Sequence, residues 1–283
     1  MVATPAAAAI SPLDPDLPAP VIALRGVDAG YGPVTILEEL TLDISDGEIF
    51  CIIGGSGSGK STLLKTIIGF TTIQRGQVFI DSEEVTGYSE SKWGPVRTKM
   101  GMVFQQAALF DSLTVYENVA FPLMERYPKL GKKPVARRVF DLLDQLDMGG
   151  QEALFPNELS GGMRKRVGIA RALIDHPKFL LYDEPTSGLD PITTAQVDGL
   201  ILQARKQFGV TSVVVSHDME SVWRIADRIA VMLKRKLRAI GTPADIRESA
   251  DPEVQDFIHG KLAESNPLAP ILQEQEARRQ AAR

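Results

Sequence analysis

The chain has 283 residues, 44% of them hydrophobic and 24% charged, which suits a globular protein with one large domain or two closely packed lobes. Its formal net charge of −5 at pH 7 argues against a nucleic-acid-binding protein, since such domains are usually basic. The single cysteine, Cys51, excludes a disulfide within the chain, and its apolar sequence neighbours predict an inert core residue.

Residues 1–20 are rich in proline and alanine and lack the basic start of a signal peptide. Because such a composition cannot build a core, we predict a disordered leader. No apolar run in the chain approaches the roughly 20 residues that a membrane-spanning helix needs.

From Val21 onward the hydrophobic pattern becomes that of strands. The segments VIALRGVDAGYG and VTILEELTLDIS alternate apolar and polar residues, which is typical of strands with one solvated face. Four short apolar runs instead predict strands covered on both faces, as in a parallel sheet: EIFCII, KFLLYDE, TSVVVSHD and RIAVML. Helical patterns separate these runs, so we predict an α/β fold with a mainly parallel core sheet.

The sequence GGSGSGKS, residues 54–61, matches the phosphate-binding pattern G-x-x-x-x-G-K-[ST] between a predicted buried strand and a predicted helix. Its glycines let backbone N–H groups curl around a phosphate, while Lys60 adds a positive charge and the Ser61 hydroxyl binds Mg²⁺. A helix start alone contributes only about 0.3–2 kcal/mol toward an anion, so a triphosphate needs both additions. We therefore expect these residues to bind the nucleotide: Gly54, Gly55, Ser56, Gly57, Ser58, Gly59, Lys60, Ser61 and Thr62.

Strand signals vanish between about Met102 and Asp175, and we predict an inserted helical lobe at about residues 106–175. Within it, ARRVFDLLDQLDM has a helical spacing that places four apolar residues on one face: Val139, Leu142, Leu143 and Leu146. Gln105 closes the strand that leads into the lobe. Its amide is suited to bind Mg²⁺ and to sense the γ-phosphate, and we prefer it to Gln106 because it directly follows the apolar run.

In FLLYDEPTSGLD, an apolar strand ends in Asp183 and Glu184, and Pro185 then breaks the strand. Because consecutive strand residues point to opposite faces, we expect the two carboxylates to have different tasks. Asp183 is expected to hold Mg²⁺, and Glu184 to polarise the attacking water as general base. TSVVVSHD repeats this design, and we expect His217 to hydrogen-bond the γ-phosphate and hold the water in place.

Six motifs occur in an order and spacing that resemble the ATP-binding subunit of an ABC transporter over roughly Val21–Thr242: GGSGSGKS, VFQQ, LSGGM, LLYDEP, SGLD and SHD. The resemblance implies an ABC-type P-loop domain over residues 21–250, with an N-terminal antiparallel β subdomain beside the parallel sheet and the helical lobe. It also implies hydrolysis of ATP with Mg²⁺ as cofactor. From about Asp251 the sequence is helical and polar, which predicts a C-terminal helical extension over residues 251–283.

The resemblance further implies a head-to-tail homodimer, in which each ATP lies between the P-loop of one subunit and the LSGG turn of the other. The turn then presents hydroxyl and backbone donors to the γ-phosphate from Ser160, Gly161 and Gly162. Asp190, in SGLD, is implied to cross the dimer interface beside Glu184. Tyr31 resembles the aromatic residue that stacks on adenine in this family; the alternative is a packing tyrosine in a strand turn.

The chain departs from the family pattern at two positions. Met163 stands where glutamine is usual, and a thioether cannot donate a hydrogen bond. Gly55 stands in the P-loop where proline is usual. A stripe at helical spacing predicts packing of the lobe: Met163, Val167, Ala170 and Ile174. The basic run formed by Arg164, Lys165 and Arg166 is interpreted as facing solvent.

Three segments resemble the Mla/Mce-type subgroup, whose members drive phospholipid or other lipid traffic in the cell envelope: LSGGMRKRVGIARAL, YDEPTSGLDPIT and FQQAALFDSLTVYENVAFPL. This resemblance implies a peripheral subunit at the cytoplasmic face of the inner membrane. The implied partners are a membrane-embedded permease dimer, an MCE-domain substrate-binding protein and a STAS-domain regulator. The tail from about Gly260 is expected to pack across the dimer, to pack against such a regulator, or to form a solvated helix.

Three alternatives stay open. The first is the ATPase of another importer, such as one for amino acids or metals. The second is a soluble ABC ATPase of DNA repair or translation, although those proteins usually carry tandem cassettes or long coiled-coil or zinc insertions. The third is a regulatory module that binds ATP without hydrolysing it, which conflicts with the presence of both Glu184 and His217.

Overall fold

The computed structural model describes residues 20–260, which fold around two β-sheets. The strands are β1 (Ile22–Tyr31), β2 (Val34–Ile44), β3 (Ile49–Gly54), β4 (Thr72–Ile80), β5 (Glu83–Glu84), β6 (Met100–Val103), β7 (Phe179–Asp183), β8 (Thr211–Val215), β9 (Arg228–Leu233) and β10 (Lys236–Gly241). The helices are α1 (Lys60–Ile67), α2 (Glu90–Arg97), α3 (Val115–Arg126), α4 (Lys132–Gln145), α5 (Gly161–Leu173), α6 (Pro191–Phe208), α7 (Met219–Ile225), α8 (Pro243–Arg247) and α9 (Pro252–Ile258).

The N-terminal sheet is antiparallel, with strand order β2-β1-β4-β5. Its first two strands are the predicted alternating segments, and Ile22 pairs with Ile44 in one neighbour and with Ile80 in the other. Strands β4 and β5 were not predicted, because polar residues and Gly76 interrupt the apolar alternation of β4. A Cβ at Gly76 would overlap the carbonyl oxygen of Gly26, so the close approach of β4 to β1 needs glycine there.

The core sheet has the order β10-β9-β3-β8-β7-β6 and is parallel except at β10, which pairs antiparallel with β9. The four apolar runs form β3, β7, β8 and β9, which confirms the predicted mainly parallel sheet. The edge strand β10 was not predicted. Cys51 lies in β3 and is fully buried, and burial raises the pKa of its thiol, which agrees with an inert core residue.

Side chains of β3 alternate between two apolar layers on opposite faces of the core sheet. Ile49, Cys51 and Ile53 belong to the layer that also contains the apolar faces of α3, α4, α5 and α6. Phe50 and Ile52 belong to the layer shared with α1 and the antiparallel sheet. This covering on both faces explains why the strand is a continuous apolar run.

Helices α3, α4 and α5 lie between β6 and β7 in the chain, within the segment predicted as a helical lobe. The four apolar residues predicted on one face of α4 are all buried, and Leu146 follows the last residue of that helix. In α5, Val167 and Ala170 are buried, whereas Met163 is half-buried against the same core. Tertiary packing therefore holds these helices to the core sheet as well as to one another.

The basic run at the start of α5 does not simply face solvent, which corrects the sequence interpretation. Lys165 is 5% exposed and its ammonium donates to the carbonyl of Gln105. Arg164 donates to the carbonyl of Leu159 at 2.5 Å, and Arg166 donates to the carbonyl of Leu146 at 2.9 Å. The long aliphatic parts of these side chains let them reach backbone acceptors from a helix surface.

The end of the described chain contains α8 and α9, which continue past the core sheet. Residues 1–19 of the leader predicted over residues 1–20 lie outside the described residues, and so does the tail from residue 261. Among residues 20–260 no helix has both the length and the apolar character needed to cross a bilayer.

Candidate nucleotide-binding and hydrolysis site

The phosphate loop runs from the end of β3 to the start of α1. A Cβ at Gly54 would overlap the carbonyl oxygen of Met232, and Gly59, which precedes the helix, has a φ of 102°. Both positions therefore require glycine, one for a close approach and the other for a left-handed backbone. Between them, Ser56 and Gly57 are exposed, and the backbone N–H of Ser58 donates to the carbonyl of Gly55 at 3.2 Å.

Lys60, the first residue of α1, reaches back across this loop. Its Nζ donates to the carbonyl of Gly54 at 2.8 Å and to that of Gly55 at 3.1 Å. Burial lowers the pKa of Lys60, while the charges of Glu184 and Asp183 oppose that shift. The ammonium is thus held at the loop by neutral carbonyls, which are weaker partners for it than phosphate oxygens.

Two oxygen groups meet beside the loop. The Ser61 hydroxyl donates to Asp183 Oδ1 at 3.0 Å, which joins the first turn of α1 to the end of β7. Thr62 follows in the same turn of α1 and is half-buried. The pair of a hydroxyl and a carboxylate suits Mg²⁺, which takes oxygen ligands and is usually held by one or two carboxylates together with substrate phosphates.

Glu184 has a backbone that the sequence did not predict. Strand β7 ends at Asp183, and Glu184 has a φ of 53°, in the left-handed region. We expected the alternation of strand residues to point Asp183 and Glu184 in different directions. That reason is wrong, because Glu184 lies beyond the strand and its left-handed backbone sets the direction of its side chain. Such a conformation costs of order 1 kcal/mol for a residue other than glycine and is common at functional sites.

His217 contacts Glu184. The Nδ1 of the ring lies 2.6 Å from Oε2 of Glu184, and the same oxygen accepts the backbone N–H of His217 at 3.2 Å. The two residues follow β7 and β8, which are parallel neighbours and end at one edge of the sheet. The structure thus brings Lys60, Asp183, Glu184 and His217 to the carboxyl edge of the core sheet.

Gln105 lies two residues beyond β6 and is exposed. Its Nε2 donates to Ser187 Oγ at 3.2 Å, in the turn that follows Glu184. Among the described residues, no hydrogen bond joins its side chain to Ser61 or Asp183. Ser187 was not singled out in the sequence, because only the fold brings this turn to Gln105.

Tyr31 ends β1, with 42% of its surface exposed. The Lys65 ammonium lies 5.9 Å from the centre of its ring and belongs to α1, the helix that the phosphate loop opens. An exposed ring at this position favours a stacking surface over a packing tyrosine.

The LSGG turn forms the start of α5. Ser160 is the N-cap, and its Oγ accepts the backbone N–H of Met163 at 3.2 Å, so its hydroxyl proton can still be donated elsewhere. A Cβ at Gly162 would lie 2.7 Å from Cγ2 of Thr193, in the first turn of α6. Gly161 and Gly162 are the first two residues of α5. We call residues 160–162 the signature turn and α5 the signature helix, and the turn packs against the start of α6.

Asp190 is the N-cap of α6. Its Oδ1 accepts the backbone N–H groups of Ile192 and Thr193, each at 3.0 Å. The Thr193 hydroxyl is the main cause of a lowered Asp190 pKa, and the backbone donors act in the same direction. Asp190 therefore caps α6 within its own chain, independently of any contact at a dimer interface.

Known proteins resemble this chain in sequence and in fold. A family model described as ABC transporter matches residues 37–187. The probable ribonucleotide transport ATP-binding protein Mkl of Mycobacterium leprae is 37% identical over 240 residues, covering 85% of this chain and 69% of that protein. The chain belongs to the ABC transporter family. It is an ATP-hydrolysing ABC ATPase and the ATPase subunit of an ABC transporter.

Two further similarities place this ABC ATPase among known cassettes. The methionine import ATP-binding protein MetN of Carboxydothermus hydrogenoformans is 39% identical over 240 residues, covering 84% of this chain and 70% of that protein. A dimeric, post-hydrolysis structure of the ATP-binding cassette MJ0796 with ADP and Pi has a TM-score of 0.70 and 31% identity, over 78% of this chain and 98% of that one. The match to that structure supports the predicted cassette fold and the binding of ATP.

Proposed function

We propose that two copies of this ABC ATPase bind two ATP molecules between them and drive a separate permease that moves phospholipid or another lipid in the cell envelope. The observation that carries the two-copy arrangement is the similarity to the MJ0796 cassette, whose solved structure with ADP and Pi is dimeric. Lys60, Asp183, Glu184 and His217 share one edge of the core sheet. No hydrogen bond within residues 20–260 joins the Ser160 turn to the phosphate loop.

In the proposed closed dimer, Lys60 exchanges its carbonyl partners for the β- and γ-phosphate oxygens. The Ser160 hydroxyl and the N–H groups of Gly161 and Gly162 then donate to the γ-phosphate held by the other subunit. The start of a helix is suited to this because its first N–H groups have no partner within the helix. Tyr31 stacks on the adenine, and Asp190 lies at the interface beside Glu184 of the opposite site.

Glu184 acts as general base in this proposal. Its carboxylate takes a proton from water as the water oxygen bonds to the γ-phosphorus, and the bond between that phosphorus and the bridging oxygen of ADP breaks. With Nδ1 as donor to Glu184, a neutral His217 has only an acceptor at Nε2. To hydrogen-bond the γ-phosphate the ring must therefore release Glu184 or gain a second proton.

Mg²⁺ fits the oxygen groups at this site. Ser61 and Asp183 would hold it, and Gln105 would join them after releasing Ser187. When bound, the ion neutralises charge on the β- and γ-phosphate oxygens. When Gln105 exchanges Ser187 for the ion, the loop that contains Gln105 would move, and this movement would transmit the presence of the γ-phosphate to the lobe.

The surface beyond Gln105 supports a permease contact. A cavity of about 340 Å³ opens between β6 and the lobe. Apolar side chains dominate its lining, and Phe104, Phe110 and Phe121 are among the large exposed apolar residues. Exposed apolar surface of this kind marks an interaction site. A permease segment docked there would hold the ATPase at the cytoplasmic face of the inner membrane.

The lipid assignment is supported by the Mla/Mce-like signature LSGGMRKRVGIARAL, with Met163 in place of glutamine. It implies an MCE-domain substrate-binding protein and a STAS-domain regulator as further partners. The rival is an importer of a small solute, because two relatives are named for ribonucleotide transport and for methionine import.

Purification of the chain with its native membrane partners separates these functions. We expect a permease and an MCE-domain protein to co-purify, and ATPase activity in lipid nanodiscs to respond to the lipid composition. A periplasmic solute-binding protein as the partner, with activity stimulated by that protein loaded with methionine or a ribonucleotide, would exclude the lipid function. The ATPase assignment would stand in either case.

A further inference from the structure

Lys165 occupies an unusual position for a lysine. It is 5% exposed, lies in the second turn of α5, and donates to the carbonyl oxygen of Gln105. Burial lowers the pKa of this ammonium, and the charge of Glu184 opposes that shift. Because a buried charge is costly unless it has partners, a lysine whose only role was to cover the helix surface would gain by pointing to water. The side chain instead connects the signature helix to the loop that contains Gln105.

A second contact on the same face of α5 holds the next part of that loop. Arg171 donates to the carbonyl of Ala107 at 2.7 Å and to the carbonyl of Ala108 at 2.8 Å. These alanines have φ values of 59° and 47°, in the left-handed region. Two successive alanines in that conformation are strained and persist only where the surroundings hold them. The Arg171 guanidinium donates to the carbonyl oxygens of both strained residues at once.

Between the two basic residues, Gly168 brings the helix and the loop together. A Cβ at Gly168 would lie 3.1 Å from the Cβ of Ala107. Lys165, Gly168 and Arg171 are spaced by three residues, so they lie along one side of the helix. We call this face of α5 the loop clamp. Two of its side chains bind backbone carbonyls of the loop, and Gly168 allows the close approach between them.

The clamp connects the two parts of the chain that bind different nucleotides in the proposed dimer. Gln105 belongs to the site of its own subunit, whereas Ser160 begins α5 and belongs to the site of the other subunit. Lys165 lies five residues beyond Ser160, a rise of about 7.5 Å along the helix. A displacement of the loop is therefore transmitted to the signature turn over little more than one helical turn.

We propose that Lys165 and Arg171 are positioning residues that lock the Gln105 loop to α5, so that γ-phosphate binding at one site sets the position of Ser160 at the other. This inference rests on the proposed two-copy function. Neither residue touches ATP itself in this arrangement. Their loss should therefore uncouple the sites while leaving the binding of ATP to a single subunit intact.

The test uses Lys165→Met in the full chain, with and without Glu184→Gln to prevent hydrolysis. We expect the affinity for ATP, measured by calorimetry, to stay within about twofold, while kcat and the ATP-driven dimerisation constant fall about tenfold or more, as expected for loss of a charge-assisted hydrogen bond. Lys165→Gln keeps a donor without the charge and should restore part of the loss. Lys206→Met makes the same chemical change on an exposed part of α6 and serves as the control.

Hydrogen exchange supplies a readout that a general loss of stability would not reproduce. On addition of ATP to the Glu184→Gln protein, we expect amides of residues 104–108 and of residues 160–163 to become protected together. In Lys165→Met, the amides of residues 104–108 should still become protected, whereas those of residues 160–163 should gain much less protection. Arg171→Lys keeps the charge but cannot bind both carbonyls in the guanidinium geometry, so it tests the clamp independently.

The clamp is overturned if folded Lys165→Met and Arg171→Lys proteins hydrolyse ATP at the parental rate with both segments protected. It is also overturned if ATP affinity falls as much as dimerisation, since both residues would then act on nucleotide binding. A different result, in which the Glu184→Gln protein itself fails to dimerise with ATP, would contradict the two-copy function and not the clamp alone.

Discussion

The Glu184 carboxylate and the His217 ring form a pair in which the histidine engages one carboxylate oxygen twice. Oε2 lies 2.6 Å from Nδ1 and accepts the backbone N–H of His217 at 3.2 Å. The Glu184 side chain is 15% exposed and that of His217 is 65% exposed. The Glu184 carboxylate is therefore largely shielded from solvent, whereas most of the His217 ring is open to it.

Replacement of Glu184 by glutamine tests the role of the base. The amide keeps the size of the side chain but accepts a proton far less readily, so we expect kcat to fall about 10²-fold or more. ATP binding remains, and a dimer should accumulate with ATP in gel filtration. Glu220→Gln, at the start of α7, makes the same change outside the site and is the control. Hydrolysis at the parental rate in Glu184→Gln would show that another group takes the proton.

Replacement of Lys60 by methionine tests the phosphate loop. The ammonium donates to Gly54 and Gly55, and methionine keeps a similar length without the charge. Loss of charge-assisted hydrogen bonds to phosphate should weaken ATP binding roughly 10- to 100-fold. Because burial of the ammonium opposes its charged form, we expect the melting temperature without ATP not to fall. Unchanged affinity in calorimetry would contradict this assignment.

A pair of glycine substitutions tests the loop geometry through stability alone. Gly54→Ala places a methyl group against the carbonyl of Met232, so we expect it to destabilise the fold by about 1–3 kcal/mol. Gly199 is exposed within α6 and has nothing within 4 Å of an added Cβ, so Gly199→Ala should stabilise by about 0.5–1 kcal/mol. Urea unfolding measures both free energies. Equal effects of the two substitutions would show that Gly54 is not needed for close approach.

The parts of this molecule that sequence could predict are those with a strong local pattern. β3 was predictable because both of its faces are buried, and the phosphate loop because its spacing is tied to a strand and a helix. β4 was missed since Gly76 and polar residues hide its alternation. The burial of Lys165 was missed because a charged residue on a helix usually faces water, and only the fold brings the Gln105 carbonyl to it. Gly168, three residues further, was the available signal of close packing on that face.

A mixture of two inactive proteins gives the sharpest test of the shared sites. Lys60→Met disables the phosphate loop, and Ser160→Arg blocks the signature turn, so a homodimer of either variant has two defective sites. In a mixed dimer, one site combines the Lys60→Met phosphate loop of one subunit with the Ser160→Arg turn of the other. The second site combines the two unchanged parts and is intact. With random pairing in an equal mixture, half of the dimers are mixed, and roughly a quarter of all sites are competent. ATPase activity should therefore reappear on mixing. If each subunit hydrolysed ATP alone, Ser160→Arg would be active by itself and mixing would add nothing.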